Sequence, residues 1–226
     1  MIMAILVIGA TCSLGEAVVD KLLSLDIDVV AVEKSHQQRN ATMLQYSVAN
    51  LLTDGSGFSI SFDGSNADIV VGRDLLIHDI LPTRVDKWMA PEILSWANGE
   101  DVDCSSRYWL SIIDAANAIA HIVKAEMKLD GIDMCGRREW LASDSKAEFE
   151  MLWQRTHQGV SGKFTAETLF GHEIAGMEAK PITESNGERP NLDPLHEILL
   201  ELNGDGWRPL IPFRTALMAL IAGLLS

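Results

Sequence analysis

The chain has 226 residues, of which 47% are hydrophobic and 22% charged, and a mean hydropathy of +0.11, which excludes a disordered or fibrous protein. Its 18 basic and 32 acidic residues give a net charge of −14, so nucleic acid and anionic membrane surfaces are excluded as expected partners. Three scattered cysteines without a CxxC pair argue against a disulfide framework and structural zinc, and they favour a reducing cytoplasm.

The N-terminal region predicts a strand, a glycine-rich turn, a helix and a second strand. Ile2–Ile8 is an unbroken apolar run, typical of a strand that is buried on both faces. Residues 9–15 read Gly-Ala-Thr-Cys-Ser-Leu-Gly, and apolar residues at helical spacing follow them. Val29–Val32 predicts the second strand, which ends at Glu33. This order is a βαβ unit.

Beyond this unit the elements are harder to place. Ser35–Asn66 is polar, with weak strand candidates at Leu44–Val48 and Phe58–Phe62. Ala67–Val71 predicts another strand, which Leu75–Ile77 extends. Helical periodicity predicts five further helices, at Val85–Asn98, Ile113–Leu129, Ser145–Thr156, Leu195–Leu202 and Phe213–Leu225. The apolar end of the last helix is shorter than the about 20 residues that span a bilayer.

The glycine-rich turn predicts a phosphate site, because backbone N–H groups and the positive end of a helix converge on an anion there. The carboxylate of Glu33 can accept hydrogen bonds from an adenosine ribose and would repel a 2′-phosphate, which favours NAD over NADP. The alternative is a plain βαβ turn without a ligand. The predicted cofactor-binding residues are Gly9, Thr11, Cys12, Ser13, Leu14, Gly15 and Glu33.

Cys12 occupies the middle of the turn, where a glycine is expected. A Cβ at this position can narrow the dinucleotide site or shift the turn. One interpretation is a reactive thiol, since helix N-termini lower thiol pKa values. The other is a small side chain that fills a glycine position.

Four segments in the same order resemble the extended short-chain dehydrogenase/reductases that act on nucleotide sugars as epimerases, dehydratases and reductases. The turn resembles their G-A-T-G-x-[IL]-G motif, and Ala67–Asp79 with Ala97–Glu100 resembles a later strand and an A-x-x-G-[EK] step. Arg107–Ile119 is similar to R-D-[FY]-x-[YH]-V-x-D-[VL]-A-x-A-[IL]. Arg189-Pro190, Asp193 and Gly206–Pro209 are similar to R-P-x-x-x-D and L-G-W-x-P.

The resemblance covers roughly residues 1–34 and 67–226, and it leaves a gap between them. In the family, further strand–helix units occupy this place, and one of their helices carries the Tyr-x-x-x-Lys pair that removes the substrate hydroxyl proton. Tyr46 and Tyr108 are followed four residues later by Asn50 and Ile112, so the pair is absent. Matching residues 44–54 and 67–71 to the third and fourth strands moves the gap and restores no pair.

No catalytic residue is identified. His78 lies near the end of a predicted strand and can act as a base, or it is a surface-loop histidine. His172-Glu173 lacks the second histidine of a zinc helix motif, so no metal site is predicted.

The resemblance also assigns substrate-binding arginines. Arg107 and Arg189 lie where the family binds the substrate diphosphate, and a structural salt bridge is the alternative for both. Trp109 and Trp207 are expected in the core.

The predicted fold is α/β, a reduced Rossmann-like parallel sheet with a small C-terminal α-rich substrate-binding part. The predicted division places the dinucleotide-binding domain at 1–130 and the smaller part, intertwined with it, at 131–226. Because the missing helices form the usual dimer interface of the family, we expect a homo-oligomer or partner chain on the shortened sheet, or cover from Ser35–Asn66 and Gly159–Pro190. The expected function is NAD binding with a nucleotide sugar bound or transformed. The alternatives are a non-catalytic binding or partner protein derived from that family, and a structural interaction protein without either ligand.

Overall fold

The computed structural model describes residues 4–31, 48–161 and 189–225. Glu33, the strand candidate Leu44–Val48 apart from Val48, and most of Gly159–Pro190 with His172 lie outside the described residues. The strands β1 to β9 of the described ranges are Ile5–Ile8, Val29–Val30, Leu51–Leu52, Ser59–Ser61, Ile69–Val70, Leu75–Ile77, Ile80–Leu81, Leu110–Ser111 and Ile132–Met134. The helices α1 to α6 of those ranges are Ser13–Ser24, Pro91–Ala97, Ile112–Lys124, Ala142–Ser161, Asp193–Asn203 and Phe213–Leu225.

The central sheet is parallel and has the strand order β3-β2-β1-β4-β5. Ile5 pairs with Val29 on one side of β1, and Val7 pairs with Ile60 on the other. The order reverses between β1 and β4, as in doubly wound folds, whose ligands bind beyond the carboxyl ends of the strands at this reversal. The predicted α/β fold with a reduced Rossmann-like parallel sheet is therefore confirmed.

Two short parallel pairs complete the strand arrangement, β6 with β9 and β7 with β8. Val71, directly after β5, forms a bridge to Leu75 at the start of β6. Leu75–Ile77 is therefore a strand of its own rather than an extension of Ala67–Val71. The sequence did not predict β7, β8 or β9, because strands of two or three residues are too short for a periodic pattern.

Four of the five later helices are confirmed, with ends that move by a few residues. Helix α3 ends at Lys124 instead of Leu129, and α6 has its predicted bounds. The helix predicted at Val85–Asn98 is wrong in its first half, since α2 begins only at Pro91. Proline is favoured at the first position of a helix, where its missing N–H has no partner to lose. No helix among the described residues is long and apolar enough to cross a membrane.

Helices cover the central sheet mainly on one face. The buried side chains of α1, α3 and α5 pack with Ile5, Val7 and Ile60 in one apolar cluster. Residues 48–90, all of them described, contain no helix, so β3, β4 and β5 are joined by short irregular segments. On the opposite face, Val30 and Val70 are buried but belong to neither apolar cluster. The chain thus lacks, in these residues, one of the two helix layers of a doubly wound sheet.

A second apolar cluster lies among α2, α4 and α6, next to β7 and β8. Trp109 belongs to it, donates its Nε1–H to Ser145 Oγ at 2.9 Å and stacks on Phe213. Helix α2 thus joins helices from the end of the chain, while β9 pairs with β6. The division at residue 130 stays a prediction.

Candidate functional site

The glycine-rich turn joins β1 to α1 where the strand order reverses. Gly9 has a φ of +66°, a left-handed conformation that side chains disfavour. A Cβ on Gly15 would lie 2.6 Å from the Ala10 Cα, so the absence of a side chain lets the helix approach the strand. The backbone therefore depends on both outer glycines of the predicted motif.

Cys12 is the N-cap residue of α1. Its backbone is extended, with φ −81° and ψ 160°, and its Sγ accepts a hydrogen bond from the Gly15 N–H at 3.4 Å. Because any residue adopts this conformation, the missing central glycine does not distort the turn. The thiol is buried and acts as a helix cap. The geometry favours a small side chain in a glycine position over a reactive thiol.

Two carboxylates lie against the turn. Asp86 Oδ2 accepts hydrogen bonds from the N–H of Ser13 at 2.7 Å and from its hydroxyl at 2.6 Å. A Cβ on Gly9 would lie 2.6 Å from the Cβ and Cγ atoms of Asp63, which follows the end of β4. Hydrogen bonds, above all from Ser65, hold the pKa of Asp63 below its ordinary value, so it is ionised at neutral pH. The mouth of the turn is therefore acidic.

The segment that joins β7 to α2 contacts this turn through two side chains and the end of β4 through a third. Besides Asp86, Arg84 donates from Nη2 to the Thr11 carbonyl oxygen at 2.7 Å and pairs with Glu16. Lys87 Nζ donates to the carbonyl oxygen of Phe62 at the end of β4. The β7–α2 segment thus connects the two strand ends at the reversal.

A separate cavity of about 530 Å³ lies beyond the end of β9 and next to the N-terminus of α5. Arg137 and Arg189 line it, and within the described part of the chain neither forms an ion pair or hydrogen bond. The Arg189 guanidinium carbon lies 5.8 Å from the centre of the Tyr108 ring. Asp193 also lines the cavity, but it forms no ion pair with either guanidinium among the described residues, so both guanidiniums are available to an anion.

His196 adds a donor to the same cavity. Its Nδ1 accepts the backbone N–H of Trp207 at 3.0 Å, which leaves Nε2 as the protonated nitrogen of a neutral imidazole. Trp207 is buried, as predicted, and donates its Nε1–H to the carbonyl oxygen of Cys135 at 3.0 Å. Burial raises the pKa of the Cys135 thiol to about 12, so this thiol is neutral.

Arg107, the other predicted substrate-binding arginine, is paired on two edges. Its Nε donates to Glu92 Oε1 at 2.7 Å and its Nη1 donates to Asp79 Oδ1 at 2.9 Å. Glu92 is only 3% exposed at its side chain, and Asp79 also accepts the N–H of Tyr108. The geometry favours the structural salt bridge over a substrate contact, and it does not bring Arg107 into the cavity of Arg137 and Arg189.

His78 follows β6 and is paired with a carboxylate. Its Nε2 lies 2.7 Å from Oδ1 of Asp133, which lies on the neighbouring β9. The pair orients the imidazole at the carboxyl edge of the strands, which makes His78 more than an isolated loop histidine. Among the described residues, no group of three or more histidine, cysteine or acidic side chains could hold a metal ion.

The sequence did not single out Arg137, His196 or Asp86. Arg137 follows β9, a strand too short for periodicity to reveal, and His196 lies on a correctly predicted helix whose function was not considered. Asp86 was assigned to a helix that begins only at Pro91. A usable signal was the Asp-Lys-Trp-Met-Ala-Pro run, because Asp and Pro mark turns and helix starts.

Comparison with solved structures finds a similar fold in the enzyme WbmF of Bordetella bronchiseptica. Its complex with NADH gives a TM-score of 0.51 at 10% identity, and its complex with NAD+ and UDP gives 0.49 at 11%, each over 99% of this chain and 92% of that one. A mutant UDP-glucuronic acid 4-epimerase from Bacillus cereus, solved with a fluorinated UDP-glucuronic acid and NAD, gives 0.46 at 12% over 99% of both chains. No protein-family model and no curated protein sequence matches. The likeness to the NADH complex shows a shared fold.

The backbone of the turn fits a pyrophosphate, because Gly9 is left-handed and α1 begins at the strand reversal. The Leu14 N–H has no partner in the described part of the chain, but Leu14 is fully buried, so this N–H is not exposed to an anion in this conformation. The Ser13 N–H, by contrast, is taken by Asp86. A dinucleotide therefore fits the backbone, and the Asp86 side chain must move to admit it.

Proposed function

We propose that this chain binds a nucleotide sugar together with NAD, with the sugar nucleotide's diphosphate between Arg137 and Arg189. The observation that carries the proposal is the pairing state of these two arginines. Arg73, Arg84 and Arg107 are each paired with a carboxylate, whereas Arg137 and Arg189 line one cavity and form no ion pair within the described part of the chain. Two unpaired guanidiniums on one cavity are suited to the bidentate contacts of a diphosphate.

The NAD part of the proposal rests on the turn. The strand order, the left-handed Gly9 and the start of α1 at Ser13 are the backbone features that a pyrophosphate needs. The similar structures were solved with NAD+ or NADH, and one of them with UDP. In this proposal Thr11, Leu14 and Gly15 line the dinucleotide. Glu33, outside the described residues, binds the adenosine ribose.

The bound cofactor would supply hydride chemistry, and the chain's own residues would bind, orient and exclude water. The second candidate function is binding without catalysis. It is favoured by the sequence, which contains no Tyr-x-x-x-Lys pair. If the chain is an enzyme, its base is non-standard, and His78, oriented by Asp133, is the base that the described residues offer at the carboxyl edge of the strands.

The shortened sheet leads us to propose a homo-oligomer or a partner chain on the face that residues 48–90 leave without helices. Leu6 and Ile8 point to this face and are partly exposed, and Leu52 is 37% exposed at its edge. Light scattering tests this part: a monodisperse monomer at all concentrations would contradict the homo-oligomer. We place the protein in a reducing cytoplasm, where Cys12, Cys104 and Cys135 stay free.

The binding proposal is tested by isothermal titration calorimetry with UDP, a UDP-sugar, a GDP-sugar, NAD and NADP. We expect a nucleoside diphosphate to bind the wild type and to lose affinity by about 10-fold or more in Arg189→Ala and in Arg137→Ala, since hydrogen bonds to charged groups contribute about 1.5–3 kcal/mol each. Arg138→Ala is the matched control, because Arg138 adjoins Arg137 but stacks on Trp140 outside the cavity. Unchanged affinity in both cavity variants would refute the diphosphate assignment.

A further inference from the structure

The Asp86 carboxylate lies where the turn would hold an anionic ligand. Both hydrogen bonds to its Oδ2 come from Ser13, the first residue of α1, and one of them is the backbone N–H. The other oxygen, Oδ1, accepts the Trp88 N–H at 2.9 Å. A carboxylate and a phosphate make the same kind of contact at a helix N-terminus: both are anionic acceptors for N–H and hydroxyl donors.

A phosphate group cannot share this place with Asp86. The Ser13 N–H and hydroxyl already donate to one carboxylate oxygen, so a ligand phosphate that used these donors would need that oxygen to leave. If the carboxylate stayed, two anions would lie in contact, close to a third charge on Asp63. Binding of the ligand and the Asp86 contact are therefore mutually exclusive.

Two further contacts hold Asp86 in this position. Arg84 bonds the Thr11 carbonyl oxygen and pairs with Glu16 on the first turn of α1. Lys87 bonds the carbonyl oxygen of Phe62 on the other side of the strand reversal. The β7–α2 segment is thus fastened on both sides of Asp86. Because it has no helix or strand of its own, it can release the turn without breaking secondary structure.

We propose that Asp86 is an internal competitor for the phosphate site of the glycine-rich turn. A dinucleotide binds in the state in which the β7–α2 segment has withdrawn the carboxylate. The measured affinity of the wild type is then reduced by the fraction of molecules in that open state. The link to a dinucleotide rests on the proposed NAD binding, whereas the competition for a phosphate group concerns the turn alone.

The test uses the full chain and the variants Asp86→Ala and Asp86→Asn, titrated calorimetrically with NAD and, separately, with inorganic pyrophosphate. The matched control is Asp68→Ala. Asp68 Oδ2 also accepts the N–H and the hydroxyl of one serine, Ser59, at 3.0 and 2.7 Å, but at the opposite end of the strands. Its loss removes the same kind of contact without touching the turn.

We expect Asp86→Ala to bind pyrophosphate about 10- to 100-fold more tightly than the wild type, the range that corresponds to releasing a charge-assisted contact. Asp86→Asn removes the charge and retains an acceptor, so a smaller gain is expected. Asp68→Ala should match the wild type. Equal pyrophosphate affinity in the wild type and both Asp86 variants would overturn the proposal, as would an equal gain in the Asp68 control.

NAD separates this inference from the proposed function. If Asp86→Ala gains affinity for pyrophosphate while no variant binds NAD, the internal competitor is supported and the NAD proposal fails. If the wild type binds NAD, and Asp86→Ala binds both NAD and pyrophosphate no more tightly than the wild type, NAD binding is supported and the competitor is refuted. If Asp86→Ala does not fold, the proposal is tested with Asp86→Asn by amide hydrogen exchange. The Ser13 amide of the Asn variant should exchange faster than in the wild type and be protected again by pyrophosphate, and unchanged exchange would contradict the proposal.

Discussion

Replacing Arg107 tests whether this arginine stabilises the fold through its ion pairs rather than binding a ligand. Replacing it with alanine leaves Glu92, 3% exposed, and Asp79, 13% exposed, without their cation. Removing one partner of a fully buried ion pair costs about 3–5 kcal/mol. Because Arg107 itself is 30% exposed and partly solvated, we expect about 2–3 kcal/mol here.

For a chain of this size, such a loss corresponds to a fall in Tm of about 5–10 °C, measured by calorimetry or circular dichroism. Arg107→Lys keeps the charge but cannot contact both carboxylates with one planar fork, so an intermediate fall is expected. Arg189→Ala is the comparison, because among the described residues Arg189 contacts only the Tyr108 ring. Its Tm should change by about 1–2 °C at the most, which corresponds to about 0.5 kcal/mol.

The two variants should therefore separate stability from binding. We expect Arg107→Ala to retain its affinity for a nucleoside diphosphate at temperatures where it is folded, and Arg189→Ala to lose it. The opposite pattern, in which Arg107→Ala keeps the wild-type Tm and loses the ligand, would refute the structural role given to the ion pairs.

Three further outcomes follow from particular contacts. Gly9→Ala places a Cβ at a φ of +66° and 2.6 Å from Asp63 atoms, so urea unfolding should show a loss of at least about 1–2 kcal/mol; wild-type stability would contradict the turn geometry. The pKa of Cys135 is raised by burial to about 12, so a thiol reagent at pH 8 should not modify it until the protein unfolds, as mass spectrometry of the labelled peptides would show. Hydrogen bonds from Ser59 lower the pKa of Asp68, so its stabilising contribution is present above the unfolded pKa of about 4 and is lost as the pH falls through the folded value. The urea midpoint of Asp68→Asn should therefore fall less than that of the wild type between pH 5 and pH 3, and parallel curves would contradict this.

The sequence predicted the helices whose apolar side chains recur on one face and the strands that consist of an unbroken apolar run. Ile5–Ile8 and Phe213–Leu225 are long enough for that pattern, and the glycines of the turn mark positions where the backbone alone decides. The short strands β7 to β9 were missed, because their partners lie far away along the chain and supply the stabilising hydrogen bonds. Local helical preference led to the prediction of a helix from Val85. The prediction is wrong for the residues before Pro91, because the tertiary contacts of Asp86 outweigh that preference.

The candidate site was predictable to a similar extent and for similar reasons. A motif identifies residues that lie close together in the sequence, as Gly9 and Gly15 do. A motif cannot show which carboxylates contact an arginine from distant segments of the chain. Arg107 differs from Arg189 in that its guanidinium is paired with Asp79 and Glu92. Both arginines match the family's pattern equally well, so only their partners in the fold distinguish them.

In the described residues 48–90, the chain has no helices joining the central strands on the second face of the sheet. The strands still form the parallel order β3-β2-β1-β4-β5. The connections 53–58 and 62–68 have six and seven residues, and at about 3.3 Å per residue they are long enough to join the end of one short strand to the start of the next. A doubly wound sheet binds its ligands at the strand reversal and not on its helix layers, so removing helices leaves the binding edge intact. In the family that the sequence resembles, the tyrosine and lysine of the reaction lie on a helix of the segment that has no counterpart in this sequence. Under the proposed function, the chain keeps the backbone of a dinucleotide site at the strand reversal and lacks the Tyr-x-x-x-Lys pair, so ligand binding would not depend on the residues of the reaction.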